Sequence, residues 1–218
     1  MQPLGKQAKG QAPAVTPAPF PGIKILEAKP LEDNTQLTNY LQQRGISLQT
    51  ATPFCQAVSF AIGTRHYEAI GFANRSGGYE LRNNWFKGSS SPKDITYIPR
   101  GAGTVCLLEG FMDLLSLLEV RPRLTTGSSF LVLNSLTQLS KSLEVLGRHR
   151  RVLLFLDHDQ AGRMASERLL QSVPNCRDLS STYQNYKDVN ELLVAKPRQA
   201  QRLLQGLGAR KGAKKQGL

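Results

Sequence analysis

Two acidic clusters in this sequence each stand directly behind an apolar run. After TVCLL (104–108) come Glu109, Gly110 and Asp113; after RVLLFL (151–156) come Asp157, His158, Asp159, Gln160, Ala161 and Gly162. Asp157 and Asp159, two apart in extended chain, project to one side and can address a single metal region, while His158 turns to the other face and reads as structural or solvent-facing. Carboxylates gathered at one place repel one another unless a divalent cation lies among them, and hard oxygen donors suit Mg²⁺, with Mn²⁺ as a substitute. Gly110 would let backbone approach such a site, and Gly162 would open a helix whose amino end favours an anion such as phosphate. The competing reading is helix capping, with Asp157 and Asp159 closing the start of the next helix and Glu109 a surface acid. A third acidic segment, Lys187-Asp188-Val189-Asn190-Glu191, stands where a further helix should start behind a short strand near Arg177 to Leu179. By itself it is an ordinary N-cap with acids in the first turn.

The elements that must position these acids alternate. From about Gly101 to Ala195, strand-like apolar runs are separated by helical patterns at Met112 to Leu118, Leu136 to Leu146 and Gly162 to Gln171, which predicts a parallel α/β sheet flanked by helices. In such a sheet ligands gather at the carboxyl edge, which is where the acids stand. A first unit, from roughly Gly22 to Pro99, differs: a helix over Thr35 to Arg44 stopped by Gly45, then short β-like stretches such as His66 to Phe72 and Gly78 to Arg82. Within it Arg82 and Lys87 are interleaved with Tyr79, Trp85 and Phe86. That pattern offers phosphate contacts and base stacking, or else the aromatics pack a small β core.

The formal charge of +12 favours a polyanionic partner, because Lys and Arg that neutralise phosphates release condensed counterions. Part of the excess sits in a basic C-terminal tail, 196–218, where Lys196, Arg198, Arg202, Arg210, Lys211, Lys214 and Lys215 occur with no acid. Residues 1–21, rich in Gln, Ala, Pro and Gly, read as a disordered arm or linker. Three scattered cysteines, Cys55, Cys106 and Cys176, with no C-x-x-C pair, argue against a disulfide framework and against a zinc site. No apolar run approaches the roughly 18 residues of a membrane span, so the expected location is the cytoplasm.

The segments EGFMD (109–113) and DHDQAG (157–162) resemble the two defining motifs of the Toprim domain shared by bacterial primases, type IA and type II topoisomerases and several nucleases. KDVNE resembles the third acidic motif of the primase branch, with Asn190 where a second carboxylate often stands. The resemblance implies a Toprim catalytic domain over 100–195, with Glu109, Asp113, Asp157, Asp159 and Asp188 as Mg²⁺ ligands and Glu109, Asp157 and Asp159 as catalytic groups. Ahead of it, YLQQRGIS (40–47) followed by Phe54 is similar to the helix that opens the core of DnaG-type primases. IGFANRSGGYELRN with SSSPKDI resembles the β-rich basic subdomain there, placed here over 22–99, which implies Arg75 and Lys93 as template contacts beside Arg82 and Lys87. The resemblance spans about residues 35–195, with no counterpart of the family's zinc-binding or helicase-binding domains. It implies Mg²⁺-dependent synthesis of short primers from nucleoside triphosphates on single-stranded DNA, in mobile-element replication or transfer, with a zinc-binding primase part or a helicase as partner and no membrane. The alternatives are a Toprim nuclease and a non-catalytic nucleic-acid-binding module.

Overall fold

The computed structural model describes residues 22–205, so the expected arm (1–21) and the end of the expected tail (206–218) lie outside the described residues. The chain starts with an antiparallel meander of β1 (Ile23–Lys29), β2 (Cys55–Ile62), β3 (Arg65–Ala73), β4 (Tyr79–Arg82) and β5 (Lys87–Ser89), hydrogen-bonded in that spatial order. Between β1 and β2 lie α1 (Thr35–Gln43) and the single-turn α2 (Leu48–Ala51). Helix α1 forms because Asn34 caps it, its side chain accepting from the Leu37 amide at 3.1 Å, and it stops because Gly45 takes φ +70, which costs glycine little.

The second sheet has the order β10-β9-β7-β8-β6, from β6 (Thr96–Ile98), β7 (Thr104–Leu108), β8 (Ser129–Val132), β9 (Arg151–Phe155) and β10 (Cys176–Asp178). Four strands are parallel, as the sequence pattern implies; β6 is antiparallel to β8. The reason is the short connection over 99–103, which cannot carry the chain back along the sheet as a parallel neighbour requires. The chain has therefore entered the second sheet before residue 99, where the sequence reading drew the end of the first unit.

Helices α3 (Phe111–Val120), α4 (Leu124–Gly127), α5 (Leu139–Gly147), α6 (Gln160–Ser172), α7 (Val189–Ala195) and α8 (Pro197–Gln205) complete the described chain. Strand residues divide by parity. Cys106, Leu108, Phe130, Val132 and Phe155 pack with α3, α7 and α8, whereas Val105, Leu107, Leu131, Val152 and Leu154 pack with α5 and α6. The first of these cores continues into the meander through Leu37, Leu41, Ile70 and Phe72, and the Phe72 and Phe111 rings stack at 5.2 Å between centroids. Two sequence expectations need correction here. The segment read as one helix from Leu136 opens with a 3-10 turn, Leu136–Gln138, before α5; and the tail read from residue 196 begins as α8, because Ala200 and Leu204, one helical turn apart, are fully buried.

Candidate functional site

Strands β7 and β9 are neighbours whose onward connections run in opposite directions, β7 through α3 to β8 and β9 through α6 to β10. That is a topological switch point, where an open sheet leaves a crevice at the carboxyl ends of its strands. Glu109, Asp113, Asp157 and Asp159 follow these two ends, and Asp188 arrives at the start of α7. Carboxylate oxygens of Asp113, Asp157 and Asp188 lie within 4.8 Å of one another. Asp113 and Asp157 are buried, at 7% and 9% exposure.

The five expected ligands are thus not equivalent. Asp113, Asp157 and Asp188 form the close trio. Asp159 is the N-cap of α6, its Oδ1 accepting from the Gly162 amide at 2.9 Å, and Asp188 caps α7 by accepting from the Glu191 amide at 2.7 Å. Capping and membership of the cluster are therefore compatible, since each carboxylate has a second oxygen. The structure moves one expectation: α6 begins at Gln160, two residues before Gly162, whose amide is engaged by Asp159. Gly162 matters for packing instead. A Cβ there would meet the Asp157 carbonyl oxygen at 2.0 Å, so only glycine lets α6 start against the strand end that carries Asp157. At Gly110 a Cβ would touch nothing closer than Asp113 Oδ2 at 3.5 Å, an ordinary contact.

The electrostatics are those of acids crowded away from water. Burial, then the charges of Asp157 and Asp159, push the Glu109 carboxyl up to about 7, and its Oε2 is buried without a partner. Burial and the neighbouring Asp188 and Asp157 raise Asp113 well above the usual range. Burial and Asp188 also raise Asp157, against which Lys187 acts. Lys187, which the sequence presents only as the first residue of KDVNE and without a role, places Nζ 3.2 Å from Asp157 Oδ2 and 3.8 Å from Asp159 Oδ2. It is the one cation paired with these acids among the described residues. The donor set of hard, buried, mutually raised carboxylates with an orphaned oxygen fits a divalent cation such as Mg²⁺.

Asn190 engages its neighbours through its nitrogens, while its Oδ1 is buried without a partner. Its backbone amide donates to Asp113 Oδ1 at 3.2 Å, while its side-chain Nδ2 donates to the Arg44 carbonyl at 2.9 Å and to Ser116 Oγ at 2.7 Å. It ties α7, α3 and the end of α1 together and holds Asp113 in place. The His158 side chain lies partly buried, its Nδ1 without a partner.

The first sheet faces this cluster. A cleft of about 140 Å³ is lined on one side by Glu109, Asp113, Asp157 and Asp188 and on the other by Arg44, Arg82 and Lys87 together with Glu80, whose carboxyl burial pushes up to about 7. Two of the expected nucleic-acid contacts, Arg82 and Lys87, therefore border the acids, together with Arg44, which the sequence reading did not single out because its approach depends on how α1 packs. Arg75 and Lys93 do not line the cleft. Arg75 Nε is paired at 2.8 Å with the buried Asp94, which Lys141 Nζ also reaches at 3.2 Å; Lys93 is exposed. Tyr79 and Phe86 pack with the small core of the meander, Phe86 against Phe60 at 5.0 Å, but Trp85 is 87% exposed.

Residues 106–193 match the family described as Toprim-like, and residues 25–91 match a family described as a domain of unknown function, DUF8464. No curated protein matches the chain. Among solved structures, the primase fragment of the bacteriophage T7 primase-helicase protein is similar at a TM-score of 0.60 and 17% identity, over 92% of this chain and 82% of that one. A second similar chain belongs to the T7 lagging-strand DNA polymerase complex with primase domains bound to an RNA/DNA hybrid and dTTP. Its TM-score is 0.55 at 19% identity, covering 76% of this chain and 89% of that one. The zinc-binding and RNA polymerase domains of the Aquifex aeolicus primase give 0.53 at 16% identity, over 81% of this chain and 57% of that one.

Proposed function

From the premise that residues 106–193 are a Toprim-like domain within a primase-type fold, we propose that this chain is a primase-like nucleotidyltransferase making short primers on single-stranded DNA with Mg²⁺. The observation that carries this reading is the two-sided cleft: clustered acids on one wall and Arg44, Arg82 and Lys87 on the other. Template phosphates on the basic wall would lie beside the acids, and such contacts position a strand without reading its bases. Asp113, Asp157 and Asp188, with Glu109 and Asp159 at their edge, would hold Mg²⁺, which when bound would supply Lewis-acid activation of a 3′ hydroxyl and charge compensation for the leaving pyrophosphate. Glu109, half-buried with its Oε2 free of partners, is the residue suited to take the hydroxyl proton, and Lys187 holds Asp157 and Asp159 in place. Nucleoside triphosphates are the second substrate, and a zinc-binding primase part or a helicase is the protein partner. The mobile-element setting and the cytoplasmic location rest on the sequence resemblance and composition; no described helix is long and apolar enough to cross a membrane.

The test is incorporation of labelled ribonucleotides on single-stranded DNA with Mg²⁺ or Mn²⁺, comparing the native chain with Asp157→Ala plus Asp159→Ala. Extension by the native chain that the double variant loses supports the proposal. No incorporation by the native chain, with or without a primer and an added zinc-binding part, overturns it.

A further inference from the structure

Trp85 occupies the turn between β4 and β5, and that turn is fixed. Asn83 Oδ1 accepts from the amides of Trp85 (2.8 Å) and Phe86 (2.7 Å), Asn83 Nδ2 donates to the Glu68 carbonyl at 2.7 Å, and the Asn83 amide donates to the Phe86 carbonyl at 3.0 Å. The Phe86 ring is anchored on Phe60, so the residue next to it is held while its own indole stays 87% exposed. The indole is thus a flat, exposed ring on an ordered turn, with its face free to receive a planar partner.

What surrounds the ring indicates the occupant. A groove of about 490 Å³ runs from Trp85 past Lys87, Arg82 and Arg44, with no acid among its lining residues. These same three cations line the acidic cleft, so groove and cleft adjoin across them. An adjoining groove of about 210 Å³, which also borders Trp85, is lined by Gln36, Asn39 and Gln43 of α1 together with Asn84 and one acid, Glu68, whose carboxylate accepts from Asn34 Nδ2 at 2.7 Å. The three α1 amides lie at i, i+3 and i+7, one face of the helix, and neither they nor Asn84 make a side-chain hydrogen bond among the described residues. Each amide carries both donor and acceptor atoms, which suits the edges of bases.

We infer that a single-stranded nucleic acid leaves the acidic cleft along Arg44, Arg82 and Lys87, stacks one base on Trp85, and lays the next base edges against the amide face of α1. This deepens, and rests on, the proposed primase-like reading, because it assigns where the strand goes beyond the cleft. A π-face suits any base, whereas an amide face discriminates among base edges, so the track has a sequence-tolerant stage followed by a selective one.

Trp85 is the only tryptophan in the chain, so its emission reports this one position. The experiment titrates the full chain with fluorescein-labelled oligo(dT), oligo(dC) and oligo(U), reading anisotropy for binding and, on unlabelled oligonucleotides, tryptophan emission for contact. The expected result is quenching that follows the binding curve, an affinity about tenfold weaker for Trp85→Ala, and a milder loss for Trp85→Phe. The exposed ring carries no packing, so neither variant should alter the thermal melt. For the amide stage, Asn39→Ala plus Gln43→Ala is expected to narrow the difference between oligo(dT) and oligo(dC). The DNA and RNA arms decide which strand follows the track. Binding by anisotropy with unmoved emission and an unaffected Trp85→Ala overturns the inference and leaves the primase-like reading standing. Absence of binding to every oligonucleotide overturns both.

Discussion

Asn190 has 1% exposure and spends its side-chain amide on Arg44 and Ser116, so its role is to hold α7 against α3 rather than to meet a cation. Asn190→Ala should lower stability by about 2 kcal/mol, since two buried groups lose their partner. Asn190→Asp should cost more, because a further carboxyl is buried beside Asp113, and should leave Mg²⁺ affinity no higher; calorimetric titration and a denaturant melt read both. Tighter Mg²⁺ binding by the aspartate variant would instead make position 190 a ligand. Lys187 is the complementary case. Its ammonium, raised by the hydrogen bond to Asp157, is the positive charge that the trio has for itself. Lys187→Met should therefore melt earlier than the native chain without metal and recover more on adding Mg²⁺, because a cation that binds only the folded state stabilises in proportion to its affinity for it. An equal Mg²⁺-dependent rise in both proteins would sink that account.

Between elements, the joint that matters most to the cleft is Asp94, just ahead of β6. Its carboxylate accepts from Ser76 Oγ (2.6 Å), Arg75 Nε (2.8 Å), the Ile95 amide (2.9 Å) and Lys141 Nζ (3.2 Å), so the β3–β4 turn, β6 and α5 meet on one buried charge. Burial alone would raise this acid, but the bonds from Ser76, Arg75, Ile95 and Lys141 win and hold it well below the usual carboxylate range. A depressed folded pKa means stability that is present above the ordinary value of about 4 and is lost as pH falls through the folded value. Asp94→Asn should thus be less stable by about 2 kcal/mol at neutral pH, and the gap to the native chain should close on acidification. A gap that persists at low pH would show that packing, not charge, is what the substitution removed. Arg75, expected from the sequence as a template contact, is already committed to this joint, and Arg75→Ala should reduce stability more than it reduces nucleic-acid binding.

For the molecule as a whole, three cations along one groove set a salt dependence. If Arg44, Arg82 and Lys87 each neutralise one phosphate of a single strand, the log–log slope of affinity against salt carries about −2 from them, and the triple alanine variant should flatten by that amount. An unchanged slope would move the strand to another face. The acids behind β7 and β9 were legible in the sequence because position at a strand end follows from the local pattern, and so were α1, α3, α5 and α6, whose boundaries moved by no more than three residues. What the pattern could not carry was anything decided across the chain: Arg44 reaching the cleft from α1, Lys187 bridging Asp157 and Asp159, and α8 folding back to bury Ala200 and Leu204. Strand β6 belongs to the same class, and it has a consequence for anyone who cuts the chain. It is three residues long and covers β8, all four of whose residues are buried. A fragment beginning at β7 would strip that cover and leave a largely apolar strand with unsatisfied amides and carbonyls at the rim of the sheet. Such a piece is primed for self-association, and its insolubility would reflect a lost chaperoning strand rather than any defect in the acidic centre it retains.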